Sequence, residues 1–363
     1  MRSDPFEEVA TPGALQPVPF DSGRWQWHAV ECKVEDYLGR RSLYLKGGIA
    51  TVADARFTDG AIEFDLAFTG ERGFMGGVWR VQDARNYEEF YLRPHQNGNP
   101  DATQYTPVYN GVAGWQLYHG ERYSVPLRFR LNEWNHVKIV FSDALAEVYC
   151  DDMEEPALFI DGLKRAVEPG GVGLSALNFA PAHFSNFAFT AAGSPQIKGR
   201  PGKPEPVPEG VISSWWISEA FHESTLEGRH SLGPNDLAAR RWTRLETERS
   251  GLANLARVQG ISFRKNTVFA RKIIHSNHEQ TKRLDFGFSD RVRAYVNGRL
   301  LFCGDDTYQS RDYRFLGSIG YFDALYLPLV QGENELLIAI SEQMGGWGVQ
   351  AKLEDLVGIT LQD

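Results

Sequence analysis

Short segments in which apolar and polar residues alternate, with turn-forming residues between them, dominate this chain. In the segment 61–68, AIEFDLAF, an apolar side chain recurs at every second position. Such alternation is typical of a β-strand with one face in a core. Similar runs occur at 134–141, 282–288 and 335–340, whereas 234–241 is briefly helical in pattern. Many short strands separated by turn signals predict an all-β protein built from antiparallel sandwiches.

A change in composition divides the chain into two halves. The segment AAGSPQIKGRPGKPEPVPEG holds five of the 18 prolines, separated by Gly, Lys and Glu. Proline lacks a backbone N–H and favours extended geometry, so this segment predicts a semi-rigid linker. We therefore predict a first domain over residues 1–190, a Pro/Gly-rich linker over 191–210 and a second domain over 211–363.

Charge and composition exclude several classes of protein. The chain has 38 basic and 47 acidic residues, a net charge of -9, which argues against a nucleic-acid partner and gives no reason to expect an anionic membrane surface. No segment approaches the roughly 20 consecutive apolar residues that cross a bilayer. No phosphate-binding loop, serine elbow or H-E-x-x-H motif occurs, and the residues around His275 and His278 have the composition of a solvated turn. We predict neither cofactor nor metal.

Cysteine usage and the start of the chain bear on localisation. Cys32, Cys150 and Cys303 are too few and too scattered for a disulfide framework or a zinc site. The first 20 residues contain no apolar leader segment. We expect a cytoplasmic protein, or an exported one if a leader has been removed.

The segment 86–95, NYEEFYLRPH, carries the most informative side chains. If it is a strand, one face carries a row of aromatic and polar residues: Tyr87, Glu89, Tyr91, Arg93 and His95. The other face carries Phe90 and Leu92, which suit a core. We predict that the row faces outward and binds a sugar, with rings against C–H faces and polar groups against hydroxyls. The alternative is a ladder of cross-strand pairs that only stabilises the sheet.

A long, turn-rich loop, 96–120, follows this strand. Its rings and polar groups make further candidate contacts with a ligand: Tyr105, Tyr109, Asn110, Trp115, Tyr118 and His119. Loops of this length inside a domain are usually functional, although an Ω-loop held by its own aromatic side chains has the same composition. We predict that the loop folds back over the strand and closes a cleft above the row.

Evidence for catalysis is weaker than evidence for binding. Glycosidases use two carboxyl groups about 5–9 Å apart, and Glu89 with Asp101 is a conceivable pair. Glu89 and His95 are the candidate catalytic residues. The laminarinase-like pattern E-x-D-x-x-E is incomplete, because Glu63 and Asp65 match its first half but Phe68 occupies the last position.

The first half resembles a concanavalin A-like, laminin-G-like sandwich. The resemblance rests on ARFTDGAIEFDLAF, GGVWRVQDARNYEEFYLRPHQ, LNEWNHVKIVF and AEVYCDDMEEPALFI, in this order. Similar domains occur in bacterial proteins that act on or bind glycans, including a group described as 3-keto-disaccharide hydrolases. The resemblance implies a fold and a carbohydrate ligand, but one fold serves lectins, hydrolases and adhesion modules alike.

The second half resembles the galactose-binding-like jelly roll found beside the catalytic barrels of β-galactosidase-type hydrolases. NTVFARKIIHS, LDFGFSDRVRAYVNGRLLF and GENELLIAISEQMGGWG carry this resemblance, which implies an accessory sandwich without catalytic residues. Strand parity predicts its core: Phe286, Phe288, Val292, Val296, Leu336, Ile338 and Ile340. Of the adjacent Trp215 and Trp216, one should be buried and one exposed. Trp347 should fill the core beside its glycines.

Three functional hypotheses follow from these observations. The first is a carbohydrate-binding protein that recognises its ligand through the first domain. The second is a hydrolase that acts on a small or modified saccharide, with Glu89, Arg93 and His95 at its centre. The third is a non-catalytic module that holds partner proteins. The environment of Glu89 discriminates between the first two, because chemistry needs a second carboxyl or His95 within reach.

Overall fold

β-strands make up about half of the chain and helices about 4% in this computed structural model, which confirms the all-β prediction. The structure describes residues 13–193, 195–204 and 206–362. The chain divides into two units. The first comprises Met1–Pro107 and Gly120–Gly202, and the second comprises Val108–His119 and Lys203–Asp363. In the described part, no helix is long and apolar enough to span a membrane.

The first thirteen strands belong to one extended antiparallel sheet system. They are β1 (Gln16–Pro17), β2 (Trp25–Tyr37), β3 (Arg40–Val52), β4 (Gly60–Ala67), β5 (Met75–Asp83), β6 (Asn86–Leu92), β7 (Thr103–Tyr109), β8 (Val112–Ala113), β9 (Asn135–Ser142), β10 (Leu145–Cys150), β11 (Leu158–Asp161), β12 (Gly171–Ala176) and β13 (Ala182–Ala191). A short 3-10 turn, Pro94–Gln96, follows β6.

Strand order in the first unit is β11-β10-β9-β4-β13-β3-β12-β5-β6-β7, with β2 paired to β3 and β1 to β13. Consecutive strands in this order are mostly distant in sequence, so the sheets are assembled by non-local pairing. The inward faces pack aromatic side chains, among them Phe64 against Phe184 and Trp79 against Phe141, all fully buried. This core holds β5 and β6 in fixed register, which positions the row of residues considered below.

The first part of the predicted linker is bound to the first unit. The buried Glu147 carboxylate on β10 accepts hydrogen bonds from the backbone N–H of Lys198 at 2.8 Å and of Gly199 at 2.6 Å. The backbone N–H of Gly202 donates to Asp161 Oδ2 at 3.0 Å. Charge-assisted hydrogen bonds of this kind are stronger than neutral ones. Residues 198–202 therefore form a strap fixed to β10 and β11.

We expect Glu147→Ala to release this strap, because the substitution removes the acceptor of two backbone N–H groups. Trypsin cleavage after Lys198 should become about tenfold faster or more, since proteolysis follows local opening. Glu155→Ala, at an exposed position of the same unit, is the matched control. An unchanged cleavage rate in the Glu147 variant would show that the strap is held by other contacts.

The second unit adds eleven strands and one short helix. They are β14 (Ser214–Ser218), α1 (Pro234–Ala238), β15 (Trp242–Glu246), β16 (Leu252–Asn254), β17 (Thr267–Ser276), β18 (Gln280–Ser289), β19 (Arg291–Val296), β20 (Arg299–Asp305), β21 (Asp323–Leu329), β22 (Gly332–Ser341), β23 (Gly348–Leu353) and β24 (Ile359–Gln362). Two further 3-10 turns are Glu223–Leu226 and Leu255–Arg257.

These strands form two sheets with a core between them. One sheet has the order β15-β14-β17-β22-β19-β20, with β24 on β17, and the other has the order β16-β23-β18-β21. The seven core residues predicted from parity all lie in the buried apolar cluster of this unit, so that prediction is confirmed.

Two local predictions for the tryptophans of this unit are also confirmed. Trp215 is fully buried, whereas Trp216 is 36% exposed. Trp347 is fully buried, and its indole N–H donates to the Ile340 carbonyl at 3.0 Å. Asn297 and Gly298 both have positive φ, as a two-residue hairpin turn of type I′ requires. Local sequence signals therefore describe this unit well.

Candidate functional site

Strand β6 carries the predicted row, and the structure buries both of its faces. Tyr87, Glu89 and Tyr91 share one face and are 8%, 2% and 2% exposed. On the other face, Phe90 and Leu92 are fully buried. The expectation of an outward, solvated row is therefore corrected. Alternation shows which side chains share a face, but it does not show what lies over that face.

Strand register shows which other residues lie on the Glu89 face. Residues paired directly across an antiparallel ladder point to the same side of the sheet. One lateral row across five strands contains Glu89, Val78, Gly173, Thr51 and Gln26. The neighbouring row contains Tyr91, Gly76, Ser175, Ile49 and His28. Beside Glu89 the sheet surface is thus made of small side chains.

Glu89 is the most unusual group on this face. It is almost completely buried, it has no ion-pair partner among the described residues, and the neighbouring Ser175 hydroxyl is its hydrogen-bonding group. Burial raises the pKa of the Glu89 carboxyl to about 7, because desolvation disfavours the charged form. The Ser175 hydroxyl opposes this shift. Glu89 is therefore poised to exchange a proton near neutral pH.

The Ser175 hydroxyl is itself unusual. Its Oγ atom is buried, and apart from Glu89 it has no hydrogen-bond partner among the described residues. Buried polar groups are nearly always paired, and the exceptions are often functional. Ser175 lies on β12, two strands from β6, so its place beside the row follows only from the register of β12, β5 and β6.

Arg93, at the end of β6, is bound to its own surroundings rather than to Glu89. Its guanidinium donates to the Asp101 carbonyl at 3.0 Å, to Tyr91 Oη at 3.3 Å and to Gln104 Oε1 at 3.4 Å. The Asp101 carboxylate lies 3.6 Å from Arg93 Nη1. Asp101 is therefore the ion-pair partner of Arg93, and the conceivable Glu89–Asp101 pair is replaced by an Arg93–Asp101 pair.

His95 lies in the 3-10 turn after β6. Its Nδ1 atom is buried and has no hydrogen-bond partner among the described residues. Burial, together with the positive charges of Arg72 and Arg93, lowers the pKa of the His95 imidazole. Its ring meets the Phe74 ring edge-on at 5.3 Å between centroids. His95 is therefore a neutral, partly buried imidazole at neutral pH.

Tyr105 belongs to the opposite side of β6. Its hydroxyl donates to Glu88 Oε2 at 2.8 Å and accepts from the backbone N–H of Lys164 at 2.8 Å. Glu88 Oε1 accepts from the backbone N–H of Arg165 at 2.8 Å. The adjacent carboxyl groups of Glu88 and Glu89 thus differ, since each oxygen of Glu88 accepts a hydrogen bond. Tyr105 serves this buried network.

The remaining five candidate residues belong to the second unit. Asn110 donates to the Ala256 carbonyl at 2.8 Å, Tyr118 donates to Glu248 Oε1 at 2.6 Å, and His119 Nε2 lies 2.9 Å from the Ile319 carbonyl oxygen. Tyr109 packs against the core of that unit, and Trp115 lies in the same segment. These contacts anchor the loop in the second unit, so we leave the five residues out of the proposed site.

Sequence reasoning missed Ser175 and the small residues around Glu89. Gly76 and Gly173 were the available signal, because glycine inside a strand marks a close approach of backbone, and a Cβ atom at either position would meet the neighbouring strand. No group of three His, Cys, Asp or Glu side chains within the described residues is arranged to hold a metal ion. The site as described consists of Glu89, Ser175 and Tyr91, with His95 beyond the end of the strand.

Comparisons with known proteins give a likeness in fold. No family model matches the chain, and no curated protein matches it. Among solved structures, the carbohydrate binding module CBM66 from Bacillus subtilis matches 45% of this chain and 93% of its own at 18% identity and a TM-score of 0.33. The Bacillus licheniformis beta-glucanase matches 49% of this chain and 97% of its own at 12% identity and a TM-score of 0.34. A xylan beta-1,4-xylosidase from Bacillus halodurans matches 52% of this chain and 41% of its own at 17% identity and a TM-score of 0.37. Similarities at this level do not define a function.

Proposed function

We propose that the first unit binds a saccharide on the sheet face that carries Glu89. The observation that carries this proposal is the buried Glu89 carboxyl, which has no ion-pair partner among the described residues, only Ser175 as a hydrogen-bonding neighbour, and a pKa of about 7. A buried carboxyl without an ion-pair partner is unfavourable, and a ligand that supplies further hydrogen bonds would explain why it is retained.

The neighbours of Glu89 suit a hydroxylated ring. Tyr91 presents a ring on the same face, and its own ring lies edge-on to Phe74 at 5.6 Å. The Ser175 hydroxyl can both donate and accept, and apart from Glu89 it has no protein partner in the described part of the chain. Gly76 and Gly173 leave the sheet surface between these groups without side chains. In this proposal, a saccharide donates hydroxyl groups to Glu89 and Ser175, while the buried Tyr91 ring, packed against Phe74, walls the site.

Calorimetric titration of the full chain, with ligands selected on a glycan array, tests the proposal. Ionised Glu89 is the better acceptor, so affinity should increase by about tenfold from pH 5.5 to pH 8.5, with a midpoint near 7. Glu89→Gln should weaken binding at pH 8.5 to about the acidic value and remove the pH dependence. Ser175→Ala should weaken binding at both pH values.

Glu155→Gln, at an exposed position, is the matched control and should bind as the wild type. Each variant must first show a wild-type near-UV circular dichroism spectrum. Saccharide binding that Glu89→Gln leaves unchanged at every pH would refute a site at Glu89.

Proton transfer to or from the ligand is a second candidate function. The pKa of about 7 favours it, because a general base works best when its pKa lies near the working pH. The two lateral rows beside Glu89 contain no second carboxylate, so the candidate is a single-base reaction rather than a two-carboxylate glycosidase. Release of product from the bound saccharide, abolished in Glu89→Gln, would distinguish reaction from binding.

A further inference from the structure

A separate cavity of about 620 Å³ lies within the second unit, inside the range of roughly 300–1,000 Å³ that is common for small-ligand sites. It lies between the segment 232–242 and strands β17 and β22. Its distinctive lining residues are Leu237, Arg240, Trp242, Arg271, Asn297 and Glu335. The function proposed above does not use this cavity.

Strand parity and one covering segment build the cavity. On β17 and β22, Ala270 and Ile338 face the core, so Arg271 and Leu337 face the other side of the sheet. There the segment containing Leu237 packs over a second apolar cluster, which includes Leu337. The segment that contains Leu237 covers the apolar part of the sheet and leaves Arg271 at the rim of the cavity.

Two guanidinium groups in the cavity are only partly used by the protein. Arg271 donates from Nε to Glu335 Oε1 at 2.6 Å, and its guanidinium lies 5.6 Å from the Trp242 ring centroid. Arg240 donates from Nε to the Asp236 carbonyl at 3.0 Å and lies over the Phe221 ring at 4.1 Å. Within the described residues, the terminal nitrogens of both arginines have no hydrogen-bond acceptor. Both guanidinium groups are thus held in place, and their terminal N–H groups are available to a ligand.

The remaining groups define the rest of a ligand. Glu335 uses one carboxylate oxygen for Arg271, and the other has no partner in the described part of the chain. Trp242 and Leu237 add an aromatic edge and an apolar wall. Two arginines and one carboxylate line the cavity, and the Glu219 and Asp236 carboxylates also act on Arg240. The unused guanidinium N–H groups, rather than net charge, therefore favour an anionic ligand.

We propose that this cavity binds a carboxylate-bearing sugar, that is, a uronic acid residue. The terminal nitrogens of Arg240 and Arg271 bind the sugar carboxylate, for which the planar guanidinium group is well matched. The second oxygen of Glu335 accepts a ring hydroxyl. Trp242 and Leu237 contact the apolar side of the sugar ring. The combination of carboxylate, hydroxyl and apolar ring contacts selects a uronate over a neutral sugar.

Titration with galacturonate, glucuronate and a short oligogalacturonide, compared with glucose and galactose, tests the site. With Glu89→Gln as the background, which weakens the site proposed in the first unit, we expect binding of the acidic sugars alone, and weaker binding as salt is raised. Arg271→Lys and Arg240→Lys keep the charge but lose the planar fork, so each should weaken uronate binding by about tenfold. Trp242→Ala should weaken it further for the oligogalacturonide.

Two control variants test whether the uronate binds in this cavity. Arg244→Ala removes an arginine of the same sheet that pairs with Glu246 and should leave uronate binding unchanged. The salt-dependent preference for uronates should persist in the Glu89→Gln background, which separates this site from the one in the first unit. Equal binding of acidic and neutral sugars, no binding of any uronate, or wild-type uronate affinity in both lysine variants would each overturn the proposal.

Discussion

Ile338→Ala should lower the free energy of unfolding of the second unit by about 2–5 kcal/mol, the range observed when a buried aliphatic side chain is truncated. Ile338 is fully buried in the core between the two sheets. Its direct cross-strand neighbours are Ala270 on β17 and Ala294 on β19. Because both neighbours are alanines, neither can extend into the space that the substitution leaves.

Urea unfolding followed by tryptophan fluorescence measures this effect, since Trp215 and Trp347 are buried in the same cluster. Ile273→Ala is the matched control, because Ile273 lies on neighbouring β17 and is only partly buried. The control should lose clearly less stability. Equal losses of under about 1 kcal/mol in both variants would contradict the assignment of Ile338 to the centre of the core.

The two halves of the chain differ in how well local pattern predicts structure. In the second unit, alternation along a strand gave the core residues correctly, because the positions it selected face the apolar core between the two sheets. On β6 alternation also grouped Tyr87, Glu89 and Tyr91 correctly. It did not predict their burial, because both faces of β6 are covered.

The residues that share the sheet face of Glu89 could not be predicted from the local sequence pattern. Ser175 is separated from Glu89 by more than eighty residues and shares its face only through the register of β5 and β12. The loop after β7 illustrates the same limit. Tyr118 and His119 have the composition of a binding loop, but their hydrogen bonds go to Glu248 and Ile319. The place of Ser175 and the contacts of the loop both depend on residues distant in sequence, so the neighbouring residues could not predict them.

Glu89→Gln should stabilise the first unit above neutral pH. The folded-state pKa of about 7 lies above the ordinary value of 4.5. The wild-type stability is therefore fully present below about pH 4.5 and decreases as the pH rises through 7. Complete ionisation of this buried group costs about 3 kcal/mol, from 1.36 kcal/mol per pKa unit. Glutamine stays neutral, so the gain should be near zero at pH 4.5 and near 3 kcal/mol at pH 8.5.

Burial also raises the pKa of Glu88, but its hydrogen bonds oppose this effect, and Glu88→Gln should lower stability because it disrupts them. Glu88 accepts one hydrogen bond at each carboxylate oxygen, from Tyr105 and from the Arg165 backbone. A glutamine side chain must place its amide N–H₂ against one of these donors, which costs about 1–3 kcal/mol at a buried position. Thermal unfolding of both variants at pH 4.5 and pH 8.5 measures the two effects. A loss of stability in Glu89→Gln at pH 8.5 would mean that hydrogen bonds within the protein outweigh the desolvation of the carboxylate. In that case Glu89, like Glu88, would be a structural group, and the sheet face would lose its reason to bind a ligand.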